Sequence, residues 1–367
     1  MGTGPVGAPR PLRERPEPQP AGTALVHVPR EAPAASVAPR RLGPWTWPSA
    51  LARPSRTLPV VVAVLALAVG AVVVHGSSAA GPGPGEALVE VDGSVVVHRS
   101  GGGVDVVTDR TRLEPGDRLT VRSGTAELEL ADAVRFSARA AAGSVPATDL
   151  TMARVPTLRA GPLLVVAPRG TRIAAGAGAM RLADSGAARV TRTTAVGVDV
   201  FRGGAVLSSA GVEQSVPALR AAEIVAAGEL SGTRPVDYHA ADAWDRRYLG
   251  PALTLDRQLS SLVSGMRADR VDGADLARRL RFGASGAPST SALRTLLAHR
   301  KGALDAAVGV AVVGAGRGGS FEARWARAFR FHDAGAPWGL VAMDAGADPD
   351  AVVDALGRAL QIGRAHV

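Results

Sequence analysis

Leu58 to Val74 reads LPVVVAVLALAVGAVVV, seventeen residues without a charge or a polar side chain. At helical rise the run spans about 26 Å, close to the lower limit for crossing a hydrocarbon core of roughly 30 Å. Pro59 falls in the first helical turn, where a missing N–H costs little. The alternative is a buried core segment, since Val is abundant. A spanning helix is the better reading, because the flanks on both sides lack apolar periodicity. It divides the chain between two compartments and limits what either side can fold into.

Residues 1–57 are rich in Pro, Ala, Gly and Arg. A segment of this kind cannot bury enough surface to offset its ordering entropy and is expected to be a disordered tail. Its eight arginines (Arg10, Arg13, Arg15, Arg30, Arg40, Arg41, Arg53 and Arg56) face only Glu14, Glu17 and Glu31. Beyond the apolar run there is no Lys or Arg until Arg99. This asymmetry puts the N-terminus in the cytoplasm and the larger C-terminal part outside, as a single-pass cell-membrane protein. Gly76 to Ala80 supplies small residues suitable for signal-peptide cleavage, but a leader this long favours an uncleaved anchor. Trp45 and Trp47, in the run PWTWP, suit a headgroup-level anchor or a short docking motif.

The net charge is +9, yet Lys301 is the only lysine. With so much Ala, Gly, Val and Pro, the arginine excess reads as a GC-rich coding sequence, and aromatics are too sparse for a nucleic-acid stacking platform. The absence of cysteine excludes disulfides, cysteine–zinc sites, thiol catalysis and a lipoprotein anchor.

After a Gly/Pro linker over 75–85, the apolar period becomes two. Val89, Val91, Val95 and Val97 alternate around Asp92-Gly93, a hairpin-type turn signal. Ala126 to Leu130 alternates apolar in and acid out. Short runs follow at 163–166, 172–174, 188–191, 196–200 and 205–207. Their spacing of about ten residues argues an all-β sandwich or a solenoid-like stack over 86–235.

The order VDGSVVVHRSGGG followed by LEPGDRLTVRSGTAELELAD resembles the extracytoplasmic domain of the FecR family, most closely over 88–132. In that pattern Gly116 and Asp117 make a tight turn and Gly124 permits the next. Ala133 stands where the pattern usually carries Gly. The resemblance implies a sensor–regulator that controls an extracytoplasmic-function sigma factor, which would be bound through the cytoplasmic tail. The tail here is short and Pro-rich, and it does not match the family's cytoplasmic domain. A second reading is an envelope module whose outer domain binds wall glycan or another envelope protein, with the tail only a tether.

Residues 236–360 shift to helical signals, so the whole is expected to be α+β. Helical spacing of Trp244, Tyr248 and Leu249 suits packing on the β domain. Leu253, Leu255, Leu259 and Leu262 mark an amphipathic helix over 252–266. Further helices are expected at 290–300, 303–313 and 321–329, with a strand at 338–343. Asp348 caps a last helix that Pro349 opens.

Gly314 to Gly319 is a literal G-x-G-x-x-G, but the run before it reads helical and only one further strand is available, so a loop is expected in place of a dinucleotide site. Asp344, Asp348 and Asp350 lack calcium-loop spacing, the seven histidines form no ligand pattern, and no G-x-S-x-G elbow occurs. The sequence therefore points to no catalytic, metal or cofactor residues, to a protein that is not an enzyme, and to no particular ligand-binding residue. Residues 361–367, with IGRAHV at their end, read like translated sequencing adapter.

Overall fold

The computed structural model describes residues 81–143, 145–225, 228–268, 275–276, 279–280 and 302–364. All of these belong to one compact unit, Ser77–Val367; the other unit is Met1–Gly76. The expected disordered tail, Trp45 and Trp47, the apolar run Leu58–Val74 and the helix at 290–300 lie outside the described residues. Among the described residues no helix is long and apolar enough to cross a membrane.

The β region begins with two long antiparallel strands, β1 (Ala87–His98) and β4 (Arg118–Leu130). On the other side of β1 lie β2 (Val104–Val107) and β3 (Arg110–Leu113), each paired with one half of it. The expected hairpin turn at Asp92-Gly93 is absent, because β1 runs straight through it. Gly93 faces Gly124, which likewise sits inside β4 and not at a turn. The register shifts just beyond, where Ser94 faces Ser123 but Val95 faces Val121, leaving Arg122 as a bulge. A Cβ on Gly124 would lie 1.7 Å from the Asp92 carbonyl oxygen, and one on Gly93 would lie 2.3 Å from that of Ser123. These glycines serve close strand approach, a need that produces the same Asp-Gly spelling as a turn.

The turn at Gly116 forms as expected. Gly116 has φ +95°, and the Asp117 N–H donates to the Glu114 carbonyl at 3.1 Å. Alternation in β4 also holds, with Ala126 and Leu128 buried and Glu127 and Glu129 exposed.

The chain then adds β5 (Arg135–Arg139), β6 (Asp149–Thr151), β7 (Thr157–Ala167), β8 (Arg172–Ala175) and β9 (Gly178–Leu182). It continues with β10 (Gly186–Arg192), β11 (Val196–Arg202), β12 (Gly204–Ser209), β13 (Val212–Pro217), β14 (Arg220–Ile224) and β15 (Arg234–Pro235). Among the described residues all fifteen strands join one hydrogen-bonded sheet. The expected sandwich or stack is thus realised as a continuous sheet, with β7 as its hub. The start of β7 pairs with β6 and, in parallel, with β8; its later part pairs with β5 and β10. Such partner changes along one strand let a sheet turn corners without breaking its ladder. Leu119, Leu128, Phe136, Leu163, Ile173 and Leu207 fill the core it encloses.

The helices that follow among the described residues include α1 (Ala243–Ala268), α2 (Ala303–Ala315), α3 (Phe321–Asp333), α4 (Trp338–Asp344) and α5 (Pro349–Arg364). The molecule is therefore β-rich with a helical C-terminal region. Helix α1 joins the expected junction and the amphipathic stretch into one element that carries Pro251 inside it. Its buried stripe is Ala252, Leu255, Leu259 and Met266, while Leu253 and Leu262 are half-buried. Residues 338–343 are helical, not a strand. A short apolar run without alternation fits a helix enclosed on all sides as well as it fits a strand, and Trp338 to Ala342 are all buried. The Gly-rich run follows α2, a helix, so it lacks the strand a dinucleotide site requires. Gly318 and Gly319 take positive φ, and Ser320 then caps α3 by accepting the Ala323 N–H at 3.2 Å.

Helices and sheet share a second core, in which Leu164, Phe201 and Ala221 of the sheet meet Leu255, Phe329 and Leu340. Tyr248 stacks on Phe201 with centroids 5.2 Å apart. Around this contact lies an ionic clasp. Arg139 pairs with Asp242 at 2.7 Å and covers the Trp244 ring. Arg189 pairs with Asp199 at 2.8 Å and with Asp245, which is fully buried, at 3.0 Å.

Candidate binding cleft

One face of α1 remains open to a cleft of about 900 Å³. Asp256, Leu259, Ser260, Val263, Ser264 and Arg267 line it, at the 3- and 4-residue steps that put side chains on one helix face. Across from them stand Leu304, Asp305 and Val308 of α2. The walls are completed by the segment leading from β15 to Tyr238 and by the α3–α4 turn, from His332 to Trp338.

The carboxylates here hold helices in place. Asp256 Oδ1 accepts the Gly339 N–H at 2.6 Å, and its Oδ2 accepts the Tyr238 hydroxyl. Helix α4 opens on Pro337, which offers no side-chain acceptor. Asp256 thus caps α4 from another helix, satisfying a donor that would otherwise be left unpaired. Burial pushes the Asp256 carboxyl above the usual carboxylate range, although the Tyr238 and Gly339 donors pull it back. Burial, and then the adjoining Asp256, hold the Tyr238 phenol well above its ordinary range.

Asp305 accepts the Trp338 Nε1–H at 2.7 Å and lies 3.2 Å from His332 Nε2. His332 Nδ1 lies 2.7 Å from the Ala336 carbonyl oxygen. Serving both acceptors requires both ring nitrogens to donate, which only the imidazolium does. The bond to Asp305 accordingly raises His332 above its ordinary value, against a smaller opposing effect of burial. The ring also stacks on Trp338, with centroids 4.2 Å apart and planes 23° from parallel.

The cleft therefore carries committed carboxylates at one end and, at the other, the exposed Arg267. The sequence did not group these residues, which come from four elements, and it marked Leu259 and Trp338 only as parts of apolar stretches. The only local signal was the mixed polar and apolar stripe 256–267, adjacent to the buried one. The acidic residues that did attract attention lie elsewhere in the fold. Asp344 pairs with Arg220 at 3.5 Å and with Arg327 at 3.8 Å. Asp348 accepts the Asp350 N–H at 3.1 Å, as an N-cap before Pro349 should. Among the described residues no group of three His, Asp or Glu side chains is placed to hold a metal ion.

No family model and no curated protein matches the sequence. Two crystal structures of a candidate anti-sigma factor from Parabacteroides distasonis ATCC 8503 resemble part of the fold. One aligns with TM-score 0.28 and 10% identity over 33% of this chain and 60% of its own length. The other aligns with TM-score 0.29 and 11% identity over 35% of this chain and 63% of its own. The match spans less than two thirds of either neighbour.

Proposed function

We propose that the chain is a single-pass membrane regulator. Residues 86–360 form its extracytoplasmic sensor, and residues 1–57 act on an extracytoplasmic-function sigma factor inside the cell. The observation that carries the reading is the build of the FecR-like turn. Asp117, only 1% exposed, accepts the Ser100 N–H at 2.9 Å, the Glu114 N–H at 3.0 Å and the Arg99 guanidinium at 2.9 Å. The Leu-x-x-Gly-Asp spelling thus corresponds to a structural latch, which gives the sequence resemblance a physical basis. The arginine asymmetry about Leu58–Val74 supports the orientation.

Two measurements test it together. A phosphatase reporter fused after Ala80 should be active only when exported, and activity confined to the cytosol overturns the topology. A pull-down with residues 1–57 should recover a sigma factor. Recovery of none, with sigma-dependent transcription unchanged on deleting the tail, rejects the regulatory role and leaves a tethered envelope module. Co-sedimentation of the chain with isolated cell wall would then be expected.

A further inference from the structure

The outer face of the sheet carries a basic patch close to where the described chain begins. Arg172 of β8 stands directly opposite Arg181 of β9, and like charges so opposed destabilise a sheet. Ile173, Met180 and Leu182, which alternate with them, are buried, so both guanidiniums lie on the outer face. Val155 and Arg172 each stand two residues before the parallel pairing of Thr157 with Ala174, which sets Val155 in line with the arginines. Arg154 and Val155 are exposed, Val155 by 37% although it is apolar. None of Arg154, Arg172 and Arg181 makes a side-chain hydrogen bond or ion pair among the described residues. The patch adjoins the entry of the chain, since a Cβ on Gly85 would lie 3.4 Å from the Arg154 nitrogen. Glu86 fixes that entry by accepting the Gly83 N–H at 2.9 Å and pairing with Arg112 at 3.9 Å.

We infer that Arg154, Val155, Arg172 and Arg181 rest on the anionic headgroups of the bilayer that anchors the chain. The inference rests on the proposed spanning of Leu58–Val74. Gly81 follows Val74 by seven residues, a reach of at most about 25 Å. Attraction to a charged surface fades within a Debye length of about 8 to 10 Å. Only a patch kept near the bilayer can use it, and the short connection keeps this one there. Val155 adds apolar contact at headgroup depth. Exposed Glu114 flanks Pro115, which also touches Gly85, and still leaves the patch net positive. A lipid surface supplies the opposed arginines with the counter-charge that the sheet does not.

The test uses the full chain in nanodiscs. Because the sequence holds no cysteine, Val155→Cys gives a single attachment point for a fluorophore, read by quenching from nitroxide-labelled lipid headgroups. Quenching should be strong in phosphatidylglycerol discs and weaken as added salt screens the surface. The ratio of docked to free patch should fall about twentyfold in Arg172→Gln/Arg181→Gln, roughly fivefold for each charge, and be retained in Arg172→Lys/Arg181→Lys. Circular dichroism verifies folding, and Arg154→Gln, at an exposed position outside the strands, repeats the measurement with an expected fivefold loss of about the same origin. Equal quenching in phosphatidylcholine discs, or no response to the glutamine variants, overturns the docking while leaving the anchor in place. A chain that fails to co-elute with the discs overturns the anchor and this inference with it. Displacement by soluble polyphosphate without any dependence on lipid charge assigns the patch to a wall polyanion and likewise overturns it.

Discussion

Asp132 and Ala133 follow β4 with φ of +60° and +59°, the left-handed region in which an L side chain is held at a cost of about 1 kcal/mol. The FecR-like pattern usually carries Gly at the second of these positions, and the conformation supplies the reason. Ala133 is exposed, so Ala133→Gly removes no packing. It should stabilise the fold by about 0.5 kcal/mol after allowing for the freer unfolded chain, read as a higher urea midpoint. Asp117 shows the reverse case, a side chain that cannot be spared. Burial pushes its carboxyl up, but the Glu114 and Ser100 N–H groups and Arg99 outweigh that and hold it below the usual carboxylate range. Asp117→Ala strands those donors and should cost about 3 kcal/mol or more. Because the folded value is depressed, this stabilisation is present above the unfolded carboxylate value, near 3.9, and is lost as pH falls through the folded one. The acid limb of a stability–pH curve should therefore be shallower in the variant than in the wild type.

Between elements, His332 binds three helices through one ring: α2 through Asp305, its own α3, and α4 through Trp338. Asp333 adds a second nearby negative charge, and Phe329 meets the ring edge-on with centroids 6.3 Å apart. Since the folded value is raised, the stabilisation is complete below the unfolded histidine value, near 6.5, and disappears as pH rises through the folded value. Thermal midpoints measured from about pH 6 to pH 8 should fall in the wild type and stay nearly flat in His332→Gln. The misread strand at 338–343 belongs to this same scale. Only the presence of α1, α2 and α3 around it decides that the apolar run coils, with Asp256 supplying the cap that its own sequence lacks.

Across the whole molecule, the ionic clasp decides whether sheet and helices unfold together. Arg189 faces Asp199, Asp245 and Asp242, and burial lowers its own value while the first two carboxylates more than restore it. Arg189→Met should cost about 3–5 kcal/mol, because it leaves buried carboxylates without their counter-charge. Helical circular dichroism should then be lost at lower urea than the sheet signal. Much of the β region was legible in advance: the alternation of Ala126 to Leu130, the Gly116 turn and the later short strands all follow from local periodicity and backbone freedom. The helices at 303–315 and 321–333 and the Asp348–Pro349 start were legible for the same local reasons. Asp92-Gly93 was misread because a glycine that permits a turn equally permits two strands to cross closely, and only the facing Gly124 tells the two apart. The cleft had no local signature, since Tyr238, Asp256, Asp305 and His332 are far apart in sequence and meet only when the helices pack. What the sequence by itself determined is what depends on neighbours along the chain: alternation, caps, tight turns and the charge bias about the apolar run. What only the tertiary structure decided is what depends on neighbours in space. Pairing partners, buried charges and the floor of a cleft are selected by packing free energy summed over distant residues, and no short window of sequence contains that sum.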